Sequence, residues 1–208
     1  LIVPVLVGPA ARLRALASGL GRDMSNYRLV NTEHSHASAE AAVSLARSGE
    51  VDTLMKGSLH TDEIMAAVVS AQGGLRTERR VSHVFVMDVP AYDRILFVTD
   101  AAINIEPSLK EKADIAQNAI DLARSLGIET PKVAILSAVE MVNPEINSTI
   151  DAAALCKMAD RGQIRGAVLD GPLAFDNAIS EIAARTKSIH SPVAGRADIL
   201  LVPNIEAG

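Results

Sequence analysis

Cysteine is nearly absent. Cys156 stands alone among 208 residues, so no internal disulfide can form, and disulfide-stapled secreted scaffolds, CxxC redox motifs and cysteine-rich zinc sites are ruled out. A reducing, cytoplasmic setting fits that usage. Tryptophan is missing altogether, and Tyr27, Phe85, Tyr92, Phe97 and Phe175 are the only aromatics, too few for a base-stacking platform. There is no excess of positive charge either: 20 Lys and Arg face 25 Asp and Glu, a net charge of −5. That is the wrong sign for a broad phosphate-backbone footprint. Both counts argue against nucleic-acid partners. Long apolar runs are also wanting. Segments such as Ile199-Leu200-Leu201-Val202 fall far short of the roughly 20 residues that span a bilayer, and no membrane segment is expected.

What remains is ordinary globular material, 49% hydrophobic and 22% charged, long enough for one large domain or two small ones. The chain opens without Met on Leu1-Ile2-Val3-Pro4-Val5-Leu6-Val7, a buried-strand pattern that Pro4 kinks or places at an edge. It closes on a strand-like Asp198 to Pro203 and a turn that leads toward a helix. Both ends read as the interior of a longer protein, with further elements expected beyond them.

Short apolar runs alternate with helix-period segments, the pattern of an α/β protein with a largely parallel sheet. Strands are expected at Leu1 to Val7, Tyr27 to Val30, Val51 to Lys56, Val81 to Val89, Arg94 to Thr99, Lys132 to Leu136, Gly166 to Leu169 and Ile199 to Pro203. The clearest helix runs from Leu109 to Leu126, with a stripe of Leu109, Ala113, Ala116, Ile120 and Ala123, a Ser108/Glu111 capping box and Gly127 as its stop. Only Pro90-Ala91-Tyr92-Asp93 separates two of the strands. That is too short for a parallel crossover, so they are expected to form an antiparallel hairpin. A hairpin inside a βαβ chain suggests a second domain. The boundary is placed after the Gly73-Gly74 pair, giving residues 1–75 and 76–208, with a ligand cleft expected between the halves.

Three strand ends carry candidate chemistry. In Leu54-Met55-Lys56-Gly57-Ser58-Leu59-His60-Thr61-Asp62-Glu63, a Gly turn enters a helix whose free N–H groups, with Lys56, Ser58 and Thr61, could hold a phosphate. Plain capping by Thr61, with Asp62 and Glu63 answering the helix dipole, explains the same residues. The segment is not a Walker A loop. Arg76, Arg79 and Arg80 suit either a polyanionic cofactor or ordinary ion pairs. Strand alternation would turn Ser82 and His83, which follow, to opposite faces. Asp100 and Asn104 end the second hairpin strand, where α/β proteins place binding residues, although Asp100 also suits a turn cap. In Asp170-Gly171-Pro172 to Asp176-Asn177, Gly-Pro predicts a turn before a helix start. His34 and His36 make a weak metal pair with no third ligand nearby. Cys156 reads as a small apolar group on a helix.

Taken in order, LMKGSLHT (54–61), RRVSHVFVMDVP (79–90), VTDAAINIEP (98–107), PKVAILSAVE (131–140), DGPLAFDNAI (170–179) and SPVAGRADILLVPNIEAG (191–208) resemble the phosphate acetyltransferase and phosphate butyryltransferase family. The closest variant is the transferase part of the bifunctional enoyl-CoA hydratase/phosphate acetyltransferases. The resemblance implies two α/β/α domains with mostly parallel sheets, like those of isocitrate and isopropylmalate dehydrogenases. It also implies reversible acetyl transfer between coenzyme A and inorganic phosphate, giving acetyl phosphate, in a homodimer that uses no metal and no bound cofactor, with coenzyme A or acetyl-CoA as a substrate. By the same resemblance Ser58, His60 and Thr61 line the phosphate end, with Ser82, Asp100 and Asn104 across from them. The family's Ser-Arg pair and following Asp fall beyond Gly208. Glu63 stands where acetyl-type relatives often carry Arg, and Ala101 where some carry Cys. Butyryl transfer, a noncatalytic acyl-CoA-binding module and a nicotinamide-dependent dehydrogenase on a similar fold are the alternatives.

Overall fold

A computed structural model describes residues 2–208. The chain packs as two units, Leu1–Glu78 and Arg79–Gly208. The first holds β1 (Val5–Gly8), α1 (Ala10–Gly19), β2 (Arg28–Asn31), α2 (Ser35–Arg47) and α3 (Thr61–Val68). β1 and β2 pair in parallel, and Ala39, Val43 and Leu45 of α2 are buried. Leu1 of the expected first strand lies outside the described residues. The strand expected at Val51 to Lys56 does not form. Asp52, Thr53, Met55 and Lys56 are exposed and the stretch belongs to no ladder, and without a partner strand its backbone groups turn to solvent.

The second unit is built on one sheet. Its elements are β3 (Phe85–Met87), β4 (Leu96–Thr99), α4 (Leu109–Ser125), β5 (Lys132–Leu136), α5 (Asn147–Asp160), β6 (Val168–Leu173), α6 (Phe175–Ile179), α7 (Glu181–Thr186) and β7 (Ile199–Leu201). The strand order is β3-β4-β7-β5-β6. β3 and β4 form the antiparallel pair, and β4, β7, β5 and β6 run parallel. Strand alternation divides the core. Phe97, Val133, Ile135, Ile199 and Leu201 face α4 and α5, while Leu96, Ala134, Leu173 and Leu200 pack with Ala178, Ala184, Val193 and Ala197. Asp198, buried below β7, accepts from the Lys132 N–H (2.8 Å) and from Arg94 (3.1 Å), tying the strand starts together.

α4 begins at Ser108 with the Ser108/Glu111 capping box, and Gly127, at φ +99°, ends its last turn. Its buried stripe is Lys112, Ile115, Ala116, Ala119, Ile120 and Ala123. Leu109 and Ala113 lie at the rim rather than the centre. The Gly171-Pro172 step is not a turn. It runs inside β6, the edge strand beside β5, where a residue without an N–H is tolerated. Gly171 is needed there because a Cβ would sit 2.7 Å from the Ile135 carbonyl oxygen and 2.8 Å from its Cβ. Gly171→Ala is therefore expected to push β6 off β5 and cost about 2 kcal/mol, measured by urea denaturation.

Candidate functional site

The sequence-selected residues fall into two groups, one on each unit. On the first, the unpaired stretch ends in a tight turn before α3. Lys56 Nζ donates to the Leu59 carbonyl oxygen at 3.0 Å. Ser58, His60 and Thr61 are all exposed. His60, not Thr61, is the N-cap of α3, because Glu63 Oε2 reaches back to accept from the His60 N–H at 3.2 Å. Thr61 is the first helical residue. His34 and His36 both sit at the start of α2. His34 Nδ1 accepts from the Ala37 N–H at 3.2 Å at the start of α2, and His36 Nδ1 lies 3.1 Å from Glu63. Among the described residues no group of three or more His, Cys, Asp or Glu could hold a metal ion.

On the second unit the structure joins Asp100 to Asn104. Asp100, buried just past β4, accepts from the N–H groups of Ala102 (3.0 Å), Ile103 (3.0 Å) and Asn104 (3.2 Å), and from the Asn104 side-chain amide. Burial pushes its carboxyl up. The Ala102, Ile103 and Asn104 donors outweigh that and hold it below the ordinary 3.8. Asn104 in turn donates to the Val81 carbonyl oxygen (3.0 Å) and accepts from Arg80 Nε (2.8 Å). Arg80 also pairs with Glu111 at 3.3 Å, and Arg79 with Asp121 at 2.8 Å. These two arginines make ion pairs within the unit. Ser82 accepts from Asn118 at 3.0 Å and lies outside any strand. His83, beside it, has a buried Nδ1 with no hydrogen-bond partner among the described residues and rests edge-on against Phe85, with ring centroids 4.4 Å apart. Burial pushes the Cys156 thiol on α5 up to about 12, so it is not a nucleophile at neutral pH.

None of Ser58, His60, Thr61, Ser82, Asp100 and Asn104 lines the cavity that the second unit opens. At the carboxyl ends of β5 and β7, where open parallel sheets bind ligands, the first turns of α4 and α5 converge on a cavity of about 770 Å³. Leu136, Ile150 and Phe175 supply apolar walls, and Glu106, Glu111, Lys112, Ser137, Ser148 and Asp151 the polar ones. Lys112 Nζ lies 2.6 Å from Asp151, and the Ser137 and Ser148 hydroxyls are 2.7 Å apart. No side chain of the N-cap Ile146 caps α5; the Thr149 N–H bonds the Ile146 carbonyl oxygen at 2.9 Å, and the Asn147 and Ser148 N–H groups ahead of it are open to an acceptor. The loops are laced to the rim: Asn104 holds Arg80, Arg80 pairs with the rim residue Glu111, and the Ile205 N–H bonds the Ile105 carbonyl oxygen at 3.0 Å. Lys112, Ser137, Ser148 and Asp151 escaped sequence reasoning. The signal that locates them is the end of β5 followed by a helix start.

Fold and cavity together define an α/β protein of mostly parallel sheet with a cavity at the carboxyl edge of its strands. Residues 10–208 match the phosphate acetyl/butaryl transferase family, and the chain belongs to it. It is 60% identical over 208 residues to a phosphate acetyltransferase of Rhizobium meliloti, covering 100% of this chain and 66% of that protein. It is 47% identical over 204 residues to a phosphate butyryltransferase of Clostridium acetobutylicum, covering 98% of this chain and 68% of that one. A branched-chain phosphotransacylase from Enterococcus faecalis V583 superposes with a TM-score of 0.79 at 33% identity, over 89% of this chain and 66% of that one. The chain thus spans just under two thirds of the acetyltransferase's length.

Proposed function

We propose that this chain is part of a phosphate acetyltransferase, in which residues 1–75 and 76–208 serve as two α/β domains that move an acetyl group reversibly between coenzyme A and inorganic phosphate. The observation that carries this reading is 60% identity over the whole chain to a relative of that name, against 47% to a butyryltransferase. In one direction the coenzyme A thiolate attacks the carbonyl carbon of acetyl phosphate. The carbon–sulfur bond forms, the single bond between the carbonyl carbon and the oxygen bridging to phosphorus breaks, and phosphate leaves with the electron pair. In the other, a phosphate oxygen attacks the thioester and the thiolate leaves. Neither direction needs a redox partner.

Ser58, His60 and Thr61 line the phosphate end, at a turn whose helix start favours an anion. Asp100 and Asn104 spend their polar atoms on the 100–106 loop, on Val81 and on Arg80, and Ser82 on Asn118. Their part is to shape the rim. The cavity wall carries Glu106, Glu111 and Asp151 against Lys112, a balance that repels phosphate and suits the uncharged, amide-bearing arm of acetyl-CoA, with the Asn147 and Ser148 N–H groups for its carbonyl oxygens. The single cysteine supports a cytoplasmic setting. The exposed edge strand Phe85–Met87 supports pairing into a homodimer.

The test is phosphate-dependent thiol release from acetyl-CoA and butyryl-CoA, by this chain and by the full-length protein containing it where that is longer. Acetyl-CoA is expected to turn over about tenfold faster, the discrimination a few methylenes allow. A butyryl preference would replace the name with phosphate butyryltransferase. Coenzyme A binding with no thiol release would leave an acyl-CoA-binding module.

A further inference from the structure

The turn at Ser58 to Thr61 has no strand behind it. Among the described residues, 51–56 join no ladder, and Lys56 Nζ bonds within the turn, to the Leu59 carbonyl oxygen. What ties the turn to the rest of its unit, besides the packing of α2 on α3, is one carboxylate. Glu63 Oε1 accepts from the Ser35 hydroxyl at 2.5 Å and lies 3.1 Å from His36 Nδ1. Glu63 Oε2 accepts from the His60 N–H at 3.2 Å. Ser35 and His36 are the first two residues of α2, and His60 caps α3. A single side chain, 12% exposed, therefore holds two helix starts that are far apart in sequence. The contacts also account for its charge. The Ser35 hydroxyl, against the smaller opposing effect of burial, and then the His60 N–H hold the Glu63 carboxyl below its ordinary 4.5. The charge faces donors and the positive end of α3.

We propose that Glu63 is a positioning residue, which fastens the Ser58 to Thr61 turn to the start of α2 so that phosphate meets a preorganised turn. This rests on the reading of that turn as the phosphate end. Substrate does not touch Glu63. Its removal is felt through His60 and Thr61, as a loss of phosphate binding rather than of chemistry.

Two variants and two measurements test it on the full-length protein containing this chain. Glu63→Ala is expected to raise KM for phosphate about tenfold, with kcat and KM for acetyl-CoA within about twofold. Glu63→Gln keeps one amide oxygen for Ser35 or for the His60 N–H, and is expected to recover most of that loss. Amide hydrogen exchange is expected to quicken about tenfold in residues 57–64 and at the start of α2 in Glu63→Ala, while the rest of the protein is unchanged. An unchanged KM for phosphate in folded Glu63→Ala overturns the proposal. So does a loss of kcat matched by faster exchange throughout, since that marks a merely structural residue. If the wild type binds coenzyme A but releases no thiol, the transferase reading fails by itself. The fastening is then decided by exchange: local quickening sustains it, and unchanged exchange overturns it.

Discussion

Asp100→Ala is expected to cost the second unit about 3 kcal/mol and to lower kcat/KM about a hundredfold in the full-length protein. The side chain is 2% exposed and receives three backbone N–H groups and the Asn104 amide. Removing it leaves those donors facing nothing, and an unsatisfied buried donor costs more than the net worth of the bond it made. The costs do not simply add, because the 101–104 loop can relax outward toward water. Asp100→Asn separates charge from shape. It keeps one acceptor oxygen but turns an NH₂ group toward the donors of Asn104, and about 2 kcal/mol is expected.

The pH dependence has a definite sign. The donors around Asp100 hold its folded pKa below the ordinary 3.8. Its contribution is therefore fully present above that value and is lost as pH falls through the depressed folded one. The stability gap between wild type and Asp100→Asn should be constant at neutral pH and narrow below about pH 4. Urea denaturation at a series of pH values measures it. A gap that widens in acid would show that the carboxylate is not what the loop holds.

How much of this was legible beforehand depended on whether the cause was local. The start of α4 was, because Ser108 and Glu111 satisfy each other within four residues. So was the hairpin, because four residues cannot carry a parallel crossover. The stretch 51–56 was misread because apolar content alone resembles a buried strand, whereas a strand also needs a partner, which only the tertiary fold supplies. Gly171-Pro172 was misread as a turn for a similar reason: whether Gly-Pro bends the chain or runs along a sheet edge depends on which strand lies beside it. Arg79 and Arg80 looked equally ready for a polyanion or for ion pairs. Asp121 and Glu111, which decide the matter, lie on α4, some thirty residues or more along the chain. Asp100 and Asn104 were singled out as neighbours in one motif, and the structure joins them directly. The cavity was not legible. Its walls come from five separate stretches of chain, and its one amine, Lys112, sits on what hydropathy reads as the apolar stripe of a helix.

That amine is the basis of the other large effect. Lys112 on α4 and Asp151 on α5 lie 2.6 Å apart, with their side chains 8% and 23% exposed. Asp151→Ala strands an ammonium group against the cavity wall and is expected to cost about 3 kcal/mol, typical of breaking a buried pair from one side. Lys112→Met should cost less, about 1–2 kcal/mol, because the carboxylate left behind is closer to water. Combining Lys112→Met with Asp151→Leu removes both charges and fills the space, and is expected to return close to wild-type stability. With the single Asp151→Leu closing the cycle at about the same 3 kcal/mol as Asp151→Ala, the coupling is then about 4–5 kcal/mol. Function should not follow stability here. The double substitution leaves the net charge of the wall unchanged, yet it removes the ammonium group that stands among Glu106, Glu111 and Asp151. If the arm of acetyl-CoA lies in this cavity, KM for acetyl-CoA should rise in the double variant while its unfolding midpoint stays near wild type, and KM for phosphate should hold. A double variant as stable as wild type, with an unaltered KM for acetyl-CoA, would place the arm elsewhere and leave the Lys112–Asp151 pair a purely structural link between the two helices.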